Sequence, residues 1–282
     1  MIKSPLRYPG GKSRAVQLIS TLIPEFKEYR EPFVGGGSVF IHLKQKFPNR
    51  NYWVNDVYYE LYTFWKNCQI DVEAVIKQVE QWRQTFETGK ELHKYLQENI
   101  ASFDDLHKAA AFFVFNRITF SGTTESGGYS DQAFHGRFTD SSIERLRSFA
   151  KTIQQTIITN IDYQKVVEAE GDNVFLFLDP PYYSATQSAL YGKNGKLHKA
   201  FDHDRFAKVM QNCPHPWLIT YDDCPFIRKR FGFAHIHAWD LTYGMRNITE
   251  SSDQKGKELF ISNYLERLPS ECQLALFEEM TI

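Results

Sequence analysis

An α/β fold, with a largely parallel sheet covered on both faces by helices and interrupted by a mainly helical insertion, is what the sequence predicts from three observations. Three segments, 173–178 (NVFLFL), 216–220 (PWLIT) and 258–262 (ELFIS), are short runs dominated by apolar residues, the pattern of strands buried on both faces. Helix-period segments separate such runs, which points to a parallel sheet rather than a hairpin stack. A long block in the middle of the chain is helical in pattern throughout. At 282 residues, with 42% hydrophobic and 24% charged residues, the chain can bury a core without disulfide or metal staples.

In chain order, residues 12–22 read as a helix, 29–34 as a strand, 38–47 as a helix and 51–54 as a strand. From about Tyr58 to Ile118 the spacing is helical: Val72, Val75, Ile76, Val79 and Trp82 recur at helix intervals, as do Leu92, Tyr95 and Leu96. The stretch 121–130 (SGTTESGGYS) is a Gly/Ser-rich loop, followed by Gly136. The strand at 173–178, the strand at 216–220, a weaker one at 233–239 and the last at 258–262 complete the sheet. The expected division is therefore 1–57 with 160–282 as one domain and 58–159 as an inserted second, smaller one.

Charge says little on its own. Lys and Arg number 33 against 34 Asp and Glu, a net charge of −1. The positive residues cluster, however: Lys3, Arg7, Lys12, Arg14, Lys27 and Arg30 face only Glu25 and Glu28 in the first 30 residues, and 228–230 is Arg-Lys-Arg. Local clusters are what phosphate contacts require, although solvated faces are the plainer reading of each. No apolar run reaches membrane-spanning length, and the first six residues lack an apolar signal segment. Cys68, Cys213, Cys224 and Cys272 are scattered without metal spacing, and the histidines show none either, so no metal is expected and a reduced cytoplasmic setting is.

Asp179-Pro180-Pro181-Tyr182 directly follows the strand ending at Leu178. Two prolines remove backbone donors and fix φ, making a stiff, open turn at the carboxyl end of a strand, the edge where open α/β sheets bind ligands. The turn offers a carboxylate, carbonyls with no competing local donor and a projecting aromatic ring, a set suited to a planar base bearing an NH₂ group. An aromatic amine is a poor nucleophile because its lone pair is delocalised. Acceptors that favour an sp³-like nitrogen therefore stabilise the transition state more than the ground state. A rigid turn with an exposed Tyr is the alternative.

Glu31-Pro-Phe-Val-Gly35-Gly36-Gly37-Ser38 is a glycine turn between strand and helix, and Asp56 follows Gly37 by about the offset at which an acidic residue holds ribose hydroxyls. Phe40 occupies the place of the last glycine of G-x-G-x-x-G, which weakens a nicotinamide reading. Arg7-Tyr8-Pro9-Gly10-Gly11-Lys12-Ser13 ends like a phosphate loop, but Leu6 stands where its first glycine belongs. This segment instead offers a ring and a cation, or simply the start of the helix.

Taken in order, these segments resemble the Dam-type, alpha-group DNA adenine N6-methyltransferases: Tyr8 to Lys12, Glu31 to Gly37, a helical insertion, then Asp179 to Tyr182. Phe201-Asp202-His203 resembles the family's motif after D-P-P-Y, and Arg246-Asn247 with Lys255 to Leu259 its C-terminal hairpin. The resemblance implies a Rossmann-like S-adenosylmethionine-dependent methyltransferase sheet with a target-recognition insertion. It implies that Tyr8, Gly11, Lys12, Phe33, Gly35, Gly37, Asp56 and Asp179 bind S-adenosylmethionine. It assigns Asp179, Pro180, Pro181 and Tyr182 to a flipped adenine, and Lys12, Asn116, Arg117, Ser121, Tyr129 and Arg137 to DNA contacts. Double-stranded DNA is the implied partner of a monomeric enzyme, with a restriction endonuclease as its counterpart in restriction-modification. An initial Asp in the tetrapeptide is typical of adenine enzymes, a Ser of cytosine-N4 enzymes. Methylation of cytosine N4 or RNA, a non-catalytic DNA-binding regulator and a nucleotide-binding ATPase are the competing readings, the last disfavoured by Leu6.

Overall fold

The computed structural model describes residues 2–8, 10–120, 128–184, 201–241 and 256–268. Its centre is a seven-stranded sheet in the order β3-β2-β1-β4-β5-β7-β6. The strands are β1 (Glu28–Glu31), β2 (Asn51–Asn55), β3 (Thr156–Thr159), β4 (Val174–Leu178), β5 (Trp217–Asp222), β6 (His235–Leu241) and β7 (Gly256–Ser262). β1 to β5 pair in parallel, and β7 lies antiparallel between β5 and β6. β4 and β5 are buried along their whole length, which accounts for the unbroken apolar sequence of β4 and the largely apolar one of β5.

The helices are α1 (Val16–Leu22), α2 (Ser38–Lys46), α3 (Tyr59–Thr85), α4 (Gly89–Asn99), α5 (Asp105–Ile118), α6 (Asp131–Arg137), α7 (Asp140–Thr152), α8 (Tyr163–Glu168), α9 (His203–Gln211) and α10 (Pro225–Arg230). One apolar cluster joins α1, α2 and the helices α3 to α7 to one face of the sheet; a second, around Phe206, Trp217 and Ile219, fills the other face. The helical block thus shares its core with the sheet. Phe64 lies against Phe112, Phe113 and Phe149, and Trp65 packs on Phe40 of α2.

Three differences from the sequence reading have local causes. α1 begins at Val16 rather than Lys12, because residues 13–15 form a turn and Lys12 is drawn inward. α3 is broken at Asp71 (φ −152°, ψ 86°), whose carboxylate accepts from the Ala74 amide at 3.0 Å and so starts a new helix. β3, a four-residue edge strand with exposed Ile157, carries too little pattern to be predicted. Gly136 lies inside α6.

Candidate active site

In the parallel part of the sheet the strand order reverses between β1 and β4, which run side by side while their chain connections depart to opposite sides. Such a switch point leaves a crevice at the strands' carboxyl ends. The glycine turn leaves β1 there, and Asp179 leaves β4 there.

Gly35 and Gly37 have φ of +47° and +63°, the left-handed region that glycine tolerates. Close packing reinforces the requirement. A Cβ on Gly35 would lie 2.9 Å from the Tyr8 ring, and one on Gly37 would lie 2.4 Å from Trp65. Tyr8 therefore caps the turn, and Gly11 donates its amide to the Tyr8 carbonyl at 3.0 Å to fold the segment back. At the end of β2, Asp56 accepts from the Gly35 and Tyr58 amides, both at 3.0 Å, and burial raises its carboxyl to about 6. Phe33 packs among Tyr163, Phe201 and Phe206 on the other face.

Lys12, 4% exposed, places its ammonium 2.8 Å from the Asp179 carboxylate and 2.9 Å from the Gly10 carbonyl. Thr220 of β5 donates its hydroxyl to Asp179 Oδ1 at 2.7 Å. The Lys12 ammonium also sits 4.9 Å from the centre of the Tyr182 ring. Tyr182 departs from the projecting ring expected of it: it is half-buried beside Tyr221, with its hydroxyl enclosed near Glu258. The exposed ring is the next one, Tyr183, stacked on Phe226 at 4.2 Å. Asp222 holds the exit of the turn by accepting from the Tyr183 and Ser184 amides at 3.0 and 2.8 Å. Pro180 is buried and Pro181 partly so.

Four further carboxyls, given no role by the sequence reasoning although Glu31 and Asp202 stand within its motifs, shape the site and its surroundings. Glu31 is buried, accepts from the Tyr29 hydroxyl at 2.6 Å, and is raised to about 8 by burial and by Asp179 and Asp56. Glu258, from β7, is raised to about 7 by burial. Asp222 anchors the turn, and Asp202 caps α9 by accepting from the Arg205 amide at 2.9 Å. The available signal was polar residues in otherwise apolar strands, as with Thr220 in WLITYD and Glu258 in GKELFIS. His203 bonds the Tyr221 hydroxyl beneath the same turn. No group of His, Cys, Asp and Glu among the described residues could hold a metal ion.

Of the residues expected to meet DNA, Lys12 is committed to Asp179 within the crevice. Asn116 is fully buried; it accepts from the Arg7 amide at 2.9 Å and donates to the Arg7 carbonyl at 2.7 Å, fastening the N-terminal segment to α5. Arg117 is buried over Phe113, with its Nε unpaired among the described residues, and is held down to about 9 by burial and by Arg145, Arg7 and Arg137. One guanidinium N–H group of Arg137 is likewise enclosed and unpaired. Tyr129 donates to Asp131 at 2.9 Å. Thr119 and Tyr129 form a two-stranded bridge at the base of the Gly/Ser loop. Ser121, Arg246, Asn247 and Lys255 lie outside the described residues.

Residues 8–245 match the family described as D12 class N6 adenine-specific DNA methyltransferase. A DNA N-6-adenine-methyltransferase of Escherichia phage P1 is 29% identical over 267 residues, covering 90% of this chain but 34% of that protein. A DNA adenine methylase of Vibrio cholerae is 27% identical over 198 residues, 67% of this chain and 70% of the relative. The type II methyltransferase M1.LlaDCHI of Lactococcus lactis is 22% identical over 279 residues, 92% of this chain and 94% of the relative.

Proposed function

The chain belongs to the D12 class N6 adenine-specific DNA methyltransferase family, and from that premise we propose that the crevice between β1 and β4 transfers a methyl group from S-adenosylmethionine to N6 of an adenine flipped out of duplex DNA. The observation that carries this reading is Asp179, fixed by Lys12 and Thr220 at the end of β4, beside the Gly35–Gly37 turn and Asp56.

The charge of the crevice fits the cofactor. Lys12 is neutralised by Asp179, Asp56 adds a further carboxylate, and Glu31 and Glu258 are held toward the neutral form by burial, so among the described residues the crevice has no spare positive charge for a pyrophosphate and suits a ligand bearing sulfonium and ammonium cations. Asp56 has lone pairs left for ribose hydroxyls after accepting two amides. Tyr8, Phe33, Gly35 and Gly37 shape the floor, with Gly11 and Lys12 closing it. When bound, S-adenosylmethionine supplies an electrophilic methyl group.

The residues of the chain do the rest. Asp179 and the Pro180 carbonyl accept from the N6 amine, concentrating its lone pair on nitrogen. The rings of Tyr182 and Tyr183 flank the base. Asp179 would take the proton that N6 loses when the methyl group is transferred to it. Base extrusion is required because N6 within a stacked duplex cannot reach the methyl group.

Within residues 58–159 the helices α3 to α7 serve as the target-recognition part, whereas β3 (Thr156–Thr159) belongs to the central sheet. Arg117 and Arg137, with enclosed N–H groups lacking protein partners among the described residues, are suited to phosphate or guanine edges, and Tyr129 to a neighbouring contact. Asn116 acts through the segment it fastens, and Ser121 belongs to the loop that contacts DNA. The reading has the protein act as a monomer in the cytoplasm on double-stranded DNA. The type II methyltransferase among its relatives favours a cognate restriction endonuclease as counterpart.

The test is direct. Incubation of the protein with DNA and S-adenosylmethionine, followed by digestion to nucleosides, should yield N6-methyldeoxyadenosine; N4-methyldeoxycytidine or no product overturns the reading. Asp179→Ala should abolish the product while leaving DNA affinity within about tenfold.

A further inference from the structure

Glu258 lies in the middle of the sheet, 1% exposed, and neither of its carboxyl oxygens makes a well-formed hydrogen bond among the described residues, although the Tyr182 hydroxyl faces it. The Tyr182 hydroxyl is enclosed between Glu258 and Thr220, likewise without a well-formed hydrogen bond among the described residues. A buried carboxyl that makes no well-formed hydrogen bond is costly, so a fold that keeps one has a use for it in another state of the site.

β7 registers Glu258 opposite Asp222 on β5 and Trp239, which carries no charge, on β6. The charged and titratable groups around it are Lys12, Asp179, Asp222 and Tyr182. Lys12 currently holds Asp179, the group that must accept from the incoming amine. Asp179 already accepts from both Lys12 and Thr220, so releasing the ammonium frees acceptor capacity and negative charge for the incoming amine, and an ammonium released in an enclosed site needs another anion.

We propose that Glu258 is a positioning residue: as cofactor and adenine fill the crevice, it takes over Lys12 from Asp179 and accepts the Tyr182 hydroxyl, leaving the Asp179 carboxylate open to the amine. The proposal rests on the methyltransferase reading above. The exchange needs no bond change other than an ionisation: the Glu258 carboxyl gives its proton to solvent, and its carboxylate pairs with the ammonium. Burial holds this carboxyl up at about 7, so at about pH 6.5 filling the site expels a proton.

The experiment compares the full-length protein with Glu258→Gln and Glu258→Ala. Calorimetry at about pH 6.5, in buffers of different ionisation heat, measures binding of S-adenosylhomocysteine together with an adenine-containing duplex that the protein methylates. The unaltered protein should release about one proton and Glu258→Gln close to none. In single-turnover assays Glu258→Gln should be slower by about tenfold, with the KM for cofactor within about twofold and a flattened rise in rate through neutral pH. Glutamine fills the same space, so a merely structural role would leave rate, proton count and pH profile alike in the two proteins. That result overturns the proposal, and it stands even if Glu258→Ala fails to fold. Unaltered protein that methylates adenine beside an indistinguishable Glu258→Gln sinks the role of Glu258 alone. Unaltered protein that neither binds the nucleoside nor methylates DNA sinks the methyltransferase reading and this role with it.

Discussion

Asp179, Lys12, Gly35, Gly37 and Asp56 were legible as a site because each belongs to a short motif whose chemistry derives from residue type and order. Thr220, Asp222 and Glu258 were not, since they are single polar residues within strands, and Glu31, though it opens the glycine-turn motif, was given no role there; all four acquire meaning only when β1, β5 and β7 bring them to the same crevice as Asp179. Tyr182 was legible by type but not by orientation: whether its ring projects depends on Tyr221 and Lys12, which lie far away in sequence. The crowding of carboxyls has a measurable consequence. Glu31, raised to about 8, keeps its proton in the folded state at pH values where the unfolded chain has lost it. The folded state thus binds more protons than the unfolded one between the ordinary glutamate range and about pH 8. Its contribution to stability is complete below that window and is lost as pH rises through it. Glu31→Gln should remove most of this decline, read as a flatter dependence of Tm on pH from about 5 to 9.

Among the elements, the buried strands β4, β5 and β7 announced themselves because both faces are covered and apolar residues fill them. β3 did not, because an edge strand of four residues with one exposed face carries almost no periodic signal. The start of α1 was misplaced for a related reason: helix propensity extends to Lys12, but the ion pair with Asp179 outweighs it. α3 shows the reverse case, in which apolar spacing runs on through a break that one side chain creates. Asp71 interrupts the helix and caps its second half by accepting from the Ala74 amide. Asp71→Ala should cost about 1 kcal/mol of stability, measurable by denaturant unfolding. A cost near zero would mean that the break is set by packing and that the cap is incidental.

The whole molecule is joined more tightly than a catalytic domain with an appended recognition domain would be. Trp65, on the first helix of the block at 58–159, is fully buried, touches the space above Gly37 and donates its indole N–H to the Gly35 carbonyl at 3.2 Å. The same ring lies 4.9 Å from Phe149 of α7. Helices expected to read DNA therefore share a side chain with the turn expected to hold the cofactor. Trp65→Ala should destabilise by about 3–5 kcal/mol and lower the melting of sheet and helical block together. Differential scanning calorimetry should show one transition in both proteins; two separated transitions would mean independent units. The shared core was invisible in the sequence because helix-period spacing reveals that a face is apolar, not what covers it.

The position of β7 bears on how the molecule is made. It is the final strand in chain order among the described strands, yet it lies inside the sheet, hydrogen-bonded to β5 on one side and β6 on the other. A nascent polypeptide whose synthesis has stopped before residue 256 presents the β5 edge bare and leaves β6 without its neighbour, a sticky intermediate that invites aggregation. Glu258 reaches the crevice on that same strand. Ribosomes must therefore emit β7, through Ser262, before the sheet can close.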